Sequence, residues 1–163
     1  MPKALRIPEG RFGRLVMSEA PGPFPAQLHP EHLVLVKHDG ADGCFSIAGA
    51  PVPFTRADLV FVNARHSLEF DRPADGAPTR FVACHFSVDW LCRTFPALFA
   101  SAESTPFPLT HESITPRIRR LADALFAEIV NDRFLSAQRL EFMLQELMLS
   151  IVTTYLAKRR GAS

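Results

Sequence analysis

FTRADLVFVNARHSLEF, residues 54–70, decides the fold. An apolar run from Leu59 to Val62 follows Ala57-Asp58 and leads through Asn63-Ala64-Arg65 into His66. From there His66, Leu68 and Phe70 alternate with Ser67, Glu69 and Asp71, the period of a strand with one buried and one wet face. The segment predicts strand, tight turn, strand, with His66 at the entry to the second strand and on its apolar parity. Such a histidine points to whatever the sheet encloses. A small β-barrel with a histidine inside is a place to bind a small molecule.

Working outward, more strands surround this pair. HLVLVK, residues 32–37, is apolar on both parities, as a strand covered on both sides must be. HDGADG (38–43) is a turn, since Asp-Gly tolerates positive φ. A strand over Cys44–Ala48, a Pro/Gly connection at 49–53, a loop at 71–78 (DRPADGAP) and a strand over Arg80–Phe86 (RFVACHF) complete the set. Residues 1–30, with PGPFP at 21–25, read as surface loops and short extended pieces. Short strands at regular spacing with turn residues between them predict a sandwich or barrel.

The character of the chain changes near residue 87. Ser87 caps a short helix carrying Val88, Trp90, Leu91 and Phe95, which Pro96 ends. Thr115-Pro116 opens a longer helix, with threonine as N-cap and proline at the first helical position. Ile118, Leu121, Ala122, Leu125, Phe126 and Ile129 form one face of it. Asn131-Asp132 interrupts the pattern and Ser136 restarts it. In the last helix Leu140, Met143, Leu144, Leu147, Met148, Ile151, Val152 and Tyr155 cover more than one stripe. The surplus predicts either a well-buried helix or, as the favoured reading, a dimer interface of Leu140, Leu144, Leu147, Met148, Ile151 and Tyr155. Lys158-Arg159-Arg160 suits a helix carboxyl terminus.

Composition narrows the function. The 163 residues are 47% hydrophobic and 21% charged, with net charge +1, enough for a real core and too neutral a field for nucleic-acid binding by this chain itself. Cys44, Cys84 and Cys92 form no CxxC pair and no even framework, which fits a reducing cytoplasm. No leader-like or membrane-spanning apolar run occurs.

Strands followed by two amphipathic helices, with RADLVFVNARHSLEF in the middle, resemble the amino-terminal regulatory domain of AraC-type transcription regulators. Ala57-Asp58 stands for that family's Gly-Asp, Leu59–Val62 for its apolar run, Asn63-Ala64-Arg65 for its turn and His66 for its histidine. HLVLVK with His38-Asp39-Gly40 is similar to the family's earlier strand and glycine turn, and FVACHFSVDWL to its final barrel strand and step into helix. The resemblance spans roughly residues 28–158. It implies an α+β fold: a cupin-like β-barrel (double-stranded β-helix) over residues 1–110, with a short helix near 88–95, then an antiparallel helical dimerisation hairpin over 111–163. It also implies a small-molecule effector, a homodimer through the last helix, and DNA contact only through a helix-turn-helix domain absent from these residues.

The candidate ligand-binding set is His66, His32, Phe61, Phe45, Phe70 and His85. For His85 two parities stand open: it faces inward if Phe81 and Ala83 do, and outward if Cys84 and Phe86 do. Each phenylalanine has ordinary core packing as its plainer role. Arg56 and Arg65 are candidates for a ligand carboxylate; Cys84 and Cys92 read as small buried hydrophobes. No catalytic residue, cofactor or metal is assigned. The rival reading is a metal-dependent cupin enzyme, an isomerase or oxygenase holding its ion with His29, His32 and His66, although His-Pro-Glu-His lacks the His-X-His step that the metal cupins carry.

Overall fold

A computed structural model describes residues 3–72, 76–97, 99, 106–131 and 136–156. In chain order the strands are β1 (Lys3–Arg6), β2 (Glu9–Gly10), β3 (Gly13–Ala20), β4 (Phe24–Gln27), β5 (His32–Asp39) and β6 (Gly43–Ile47). Next come β7 (Ala50–Phe54), β8 (Asp58–Val62), β9 (Leu68–Asp71) and β10 (Thr79–Phe86). Helix α1 (Val88–Thr94), strand β11 (His111–Ser113) and helices α2 (Pro116–Asn131) and α3 (Ala137–Ile151) follow, and the chain loosens into a π-helical turn over Val152–Leu156. The basic cluster Lys158–Arg160, Asp132 and residues 73–75 of the 71–78 loop lie outside the described residues.

Strand pairing gives two antiparallel sheets. The larger runs β1-β3-β10-β5-β8-β11, with β2 paired to β3; the smaller runs β4-β9-β6-β7. Alternating parity then divides the interior into two cores. Leu33, Leu35, Val60, Val62, Phe81 and Ala83 of the larger sheet meet Phe45, Ile47, Val52, Phe54, Leu68 and Phe70 of the smaller. The opposite parity of the same strands, Val34, Val36, Leu59, Phe61, Val82, Cys84 and Phe86, meets all three helices. β5 is apolar on both parities because it is covered on both sides.

Helix boundaries follow the capping residues. The Ser87 hydroxyl accepts from Trp90 N–H and the Ser136 hydroxyl from Arg139 N–H, while the Thr115 hydroxyl accepts from Ile118 N–H at 3.2 Å. Between the last turn of α2 and the start of α3, Arg139 Nε and Glu128 Oε1 lie 2.6 Å apart. At the other end Tyr155 donates to Ser113 O at 2.7 Å.

Three sequence readings need correction. Residues 1–30 hold a long strand as well as loops: β3 pairs with β10 along its whole length, from Gly13↔Phe86 to Ala20↔Thr79. Its cavity-facing parity carries Arg14 and Ser18, so the apolar alternation that marks a strand is missing. The Pro/Gly connection at 49–53 is mostly strand β7, whose Pro51 and Pro53 are tolerated because β7 is an edge strand. The dimer interface drawn from Leu140, Leu144, Leu147, Met148 and Ile151 is instead internal. All five are buried against α2 and the larger sheet, and half-buried Tyr155 packs on them. The apolar residues that α3 exposes are Phe142 (63%) and Leu149 (51%).

Candidate functional site

Between the sheets, toward the β3 side, is a cavity of about 300 Å³. The larger sheet supplies Arg14, Val16, Ser18, Leu33, Leu35, Phe81, Ala83 and His85; Phe24, Gln27, His29 and Leu68 line the rest, with half-exposed Ile7 at its rim. Most of the wall is apolar; Arg14, His29 and His85 gather at one end, with Ser18 four residues farther along β3, opposite Phe81. A larger open groove of about 580 Å³ runs past Pro25, Cys44, Pro51 and Asp71. None of its polar side chains is buried, whereas the space between the sheets is lined by buried Ser18 and His85, which makes it the better site.

The polar end is built by register. His85 pairs across from Leu33, and Phe86 from His32, so His85 shares the inward parity of Phe81 and Ala83. His29 and Glu31 lie in the short link between β4 and β5, two residues apart. Their side chains meet His85: the His29 and His85 rings stand edge to face, 4.9 Å between centroids, and His85 Nδ1 is 3.7 Å from Glu31 Oε2. Arg14 Nε lies 3.6 Å from the other carboxylate oxygen, Glu31 Oε1. Arg14 Nε, Glu31 Oε2 and His85 Nδ1 are buried and make no hydrogen bond. Burial pushes the His85 pKa down to about 3, with the charges of Arg14 and His29 adding to it. Burial also lowers that of His29, opposed by Glu31 and reinforced by Arg14. Both rings are therefore neutral near pH 7 and offer lone pairs. His29, Glu31 and His85 place one donor atom each within 4.8 Å of one another, a grouping able to hold a cation.

The other candidates are placed differently. His66 is half-buried in the loop before β9, its N–H donating to Asn63 O at 3.1 Å, and it does not line the cavity. β9 begins only at Leu68, so the pleat that sets the parity of Leu68 and Phe70 does not extend back to His66, which follows Arg65 at φ 66°. His32 faces the helices, packed on Phe99 and Phe107 with ring centroids 6.2 and 5.9 Å away, and its Nδ1 accepts Ala64 N–H at 2.9 Å. Phe61 shares that face, stacked on Phe107 at 4.9 Å. Phe45 and Phe70 do face the space between the sheets, but in a packed aromatic group (Phe45–Phe54 4.6 Å, Phe45–Phe70 4.9 Å) behind Phe24 and Phe81. They fill rather than line.

The metal set His29, His32, His66 is thus not assembled, since His32 lies on the opposite face of the larger sheet from the cavity. Arg56 serves the helix junction, bonding His38 O and lying 3.5 Å from Asp123, and Arg65 is exposed. Cys84 is buried and its thiol is pushed up to about 12 by burial; Cys92 is half-buried. Sequence reasoning missed Arg14, Ser18 and Glu31. The one available sign was the inward option for His85, which brings it toward the His-Pro-Glu link.

No protein-family model and no curated protein matches the sequence. Among solved structures the chain is similar to a cupin protein from Bacteroides fragilis, at 13% identity over 45% of this chain and 64% of that one, TM-score 0.40. It is also similar to a cupin domain from Bordetella pertussis, at 17% identity over 53% of this chain and 92% of that one, TM-score 0.39. A predicted oxalate decarboxylase from Thermotoga maritima aligns at 15% identity over 53% of this chain and 93% of that one, TM-score 0.35. These likenesses are loose, and the description of the fold rests on strand order and register. No described helix is long and apolar enough to cross a membrane.

Proposed function

We propose that this chain is a small-molecule-binding sensor domain, the effector-binding part of an AraC-type transcription regulator. The observation that carries the reading is the half-open cavity of about 300 Å³ between the sheets, mostly apolar along its walls, with His29, His85 and Arg14 at one end. Such a space suits a small molecule with an apolar or aromatic body and one polar head group. The strands that line the cavity also carry the helices: Leu33 and Leu35 face it while Val34 and Val36 support α2 and α3. A ligand preferring one strand arrangement over another would bias the helices on the other side of the sheet, and differential affinity is what such a switch needs.

The test is a thermal-shift screen of aromatic and aliphatic carboxylic acids and alcohols, run on the wild type and on Ala83→Phe, which fills the cavity. A ligand at a hundred times its Kd stabilises by about 2.7 kcal/mol. Stabilisation of the wild type but not of folded Ala83→Phe supports the reading. Ligands that stabilise both equally, or none at all, count against it.

A further inference from the structure

We propose that His29, Glu31 and His85 form a site for a single divalent transition-metal ion at the polar end of the cavity. Two independent observations converge there. Donor atoms of the three side chains lie within 4.8 Å of one another. Two of these side chains also present buried polar atoms without hydrogen bonds, His85 Nδ1 and Glu31 Oε2, 3.7 Å apart; His85 is only 5% exposed. An unpartnered buried polar atom costs about 1–3 kcal/mol. A cation between the two would partner both lone pairs at once.

The geometry needs little adjustment. Ligand bonds of about 2.1 Å at tetrahedral angles separate donor atoms by about 3.4 Å, close to the 3.7 Å already present. Small rotations of the His29 ring at the half-buried rim supply the rest. One carboxylate and two neutral imidazoles carry net −1, which Arg14 offsets, so a dication leaves the cluster at +2 and favours an anionic group as the further ligand. Arg14 sits against Oε1, which leaves Oε2 turned to the imidazoles. Two nitrogens and one oxygen suit Zn²⁺, Co²⁺, Ni²⁺ or Fe²⁺, whereas Mg²⁺ and Ca²⁺ prefer all-oxygen shells. Three protein ligands leave a further coordination position for water or a polar head group; His29 and His85 line the cavity, and Glu31 lies beside them. Only His29 is shared with the set His29, His32, His66, because the sheet separates His32 from the cavity.

This inference stands apart from the sensor reading: metal uptake needs no organic ligand, and effector binding needs no metal. Chelator-stripped, dialysed protein is titrated with Co²⁺ and Zn²⁺ by calorimetry and by the visible absorption of bound Co²⁺. One ion per chain is expected, with affinity falling at least a hundredfold in Glu31→Gln and in His85→Gln and unchanged in His66→Ala. If the buried His85 change unfolds the chain, His29→Ala at the rim takes its place with the same expected loss. Absence of stoichiometric binding overturns the site. So does binding that survives Glu31→Gln, or binding abolished by His66→Ala alone.

Discussion

His85 Nδ1 lies 3.7 Å from Glu31 Oε2 in the polar end of the cavity, and neither atom has a hydrogen-bond partner. Two groups left unsatisfied in a buried place do not help the fold, since each has given up water without replacement. The pair therefore reads as kept for binding, and stability should tolerate its loss. In metal-free protein, His85→Leu is expected to stay within about 1 kcal/mol of the wild type, as measured by urea unfolding. A loss of 3 kcal/mol or more would mean that the ring is a structural part of the core.

Leu147 and Phe142 separate the two faces of α3. Leu147 is 1% exposed and Phe142 63%. Leu147→Ala should cost roughly 3 kcal/mol through the cavity it leaves, whereas Phe142→Ser should stay within about 0.5 kcal/mol. Urea denaturation of both, with sedimentation to follow mass, makes the comparison. A Leu147→Ala protein that dissociates from a dimer without losing stability would restore the interface first read from the sequence.

Acid should weaken this protein in a defined window. Burial, with a smaller push from His66, lowers the His32 pKa to about 4, against about 6.5 in the unfolded chain. A depressed histidine favours folding in its neutral form. Its contribution is complete above pH 6.5 and is lost as pH falls toward 4, by roughly 3 kcal/mol at pH 4. Imidazole nitrogen shifts followed by NMR should show His32 neutral at pH 5.5. Titration of His32 near pH 6.5 would sink the assignment.

Asn63 clamps the loop behind the larger sheet. Its side chain donates to Phe107 O at 2.9 Å and accepts from Phe107 N–H at 3.0 Å, both within the interior. Asn63→Leu strands that N–H and carbonyl together and should cost about 2–4 kcal/mol. If unfolding of the variant matches the wild type, water replaces the clamp and the residue does not organise the loop.

Part of the fold was legible in advance. β5, β8, β9 and β10 announce themselves by apolar runs or alternation, and Ser87, Thr115-Pro116 and Ser136 mark helix starts by cap chemistry, because these signals act over a few residues. β3 did not announce itself: its inward parity carries the arginine and serine that the cavity uses, so the strand resembles a loop. β7 was hidden by its two prolines for a similar local reason.

The site was legible only in fragments. Phe45, Phe70 and His85 all lie on the inward parity, but parity does not say which of them meets open space and which meets another ring. His66 was carried to the cavity by extending the alternation of Leu68 and Phe70 two residues back, past the start of β9 at Leu68, where the strand pleat no longer sets direction.

By itself the sequence determined which short segments become strands and helices, since hydrophobic period and capping are written in neighbouring residues. Only the tertiary structure decided that His29, Glu31 and His85 meet, with Arg14 beside them, while His32 is turned away. That depends on the pairing of β10 with β5 and β3, which joins residues 41 to 73 positions apart. A one-residue change of register would send every side chain to the opposite face.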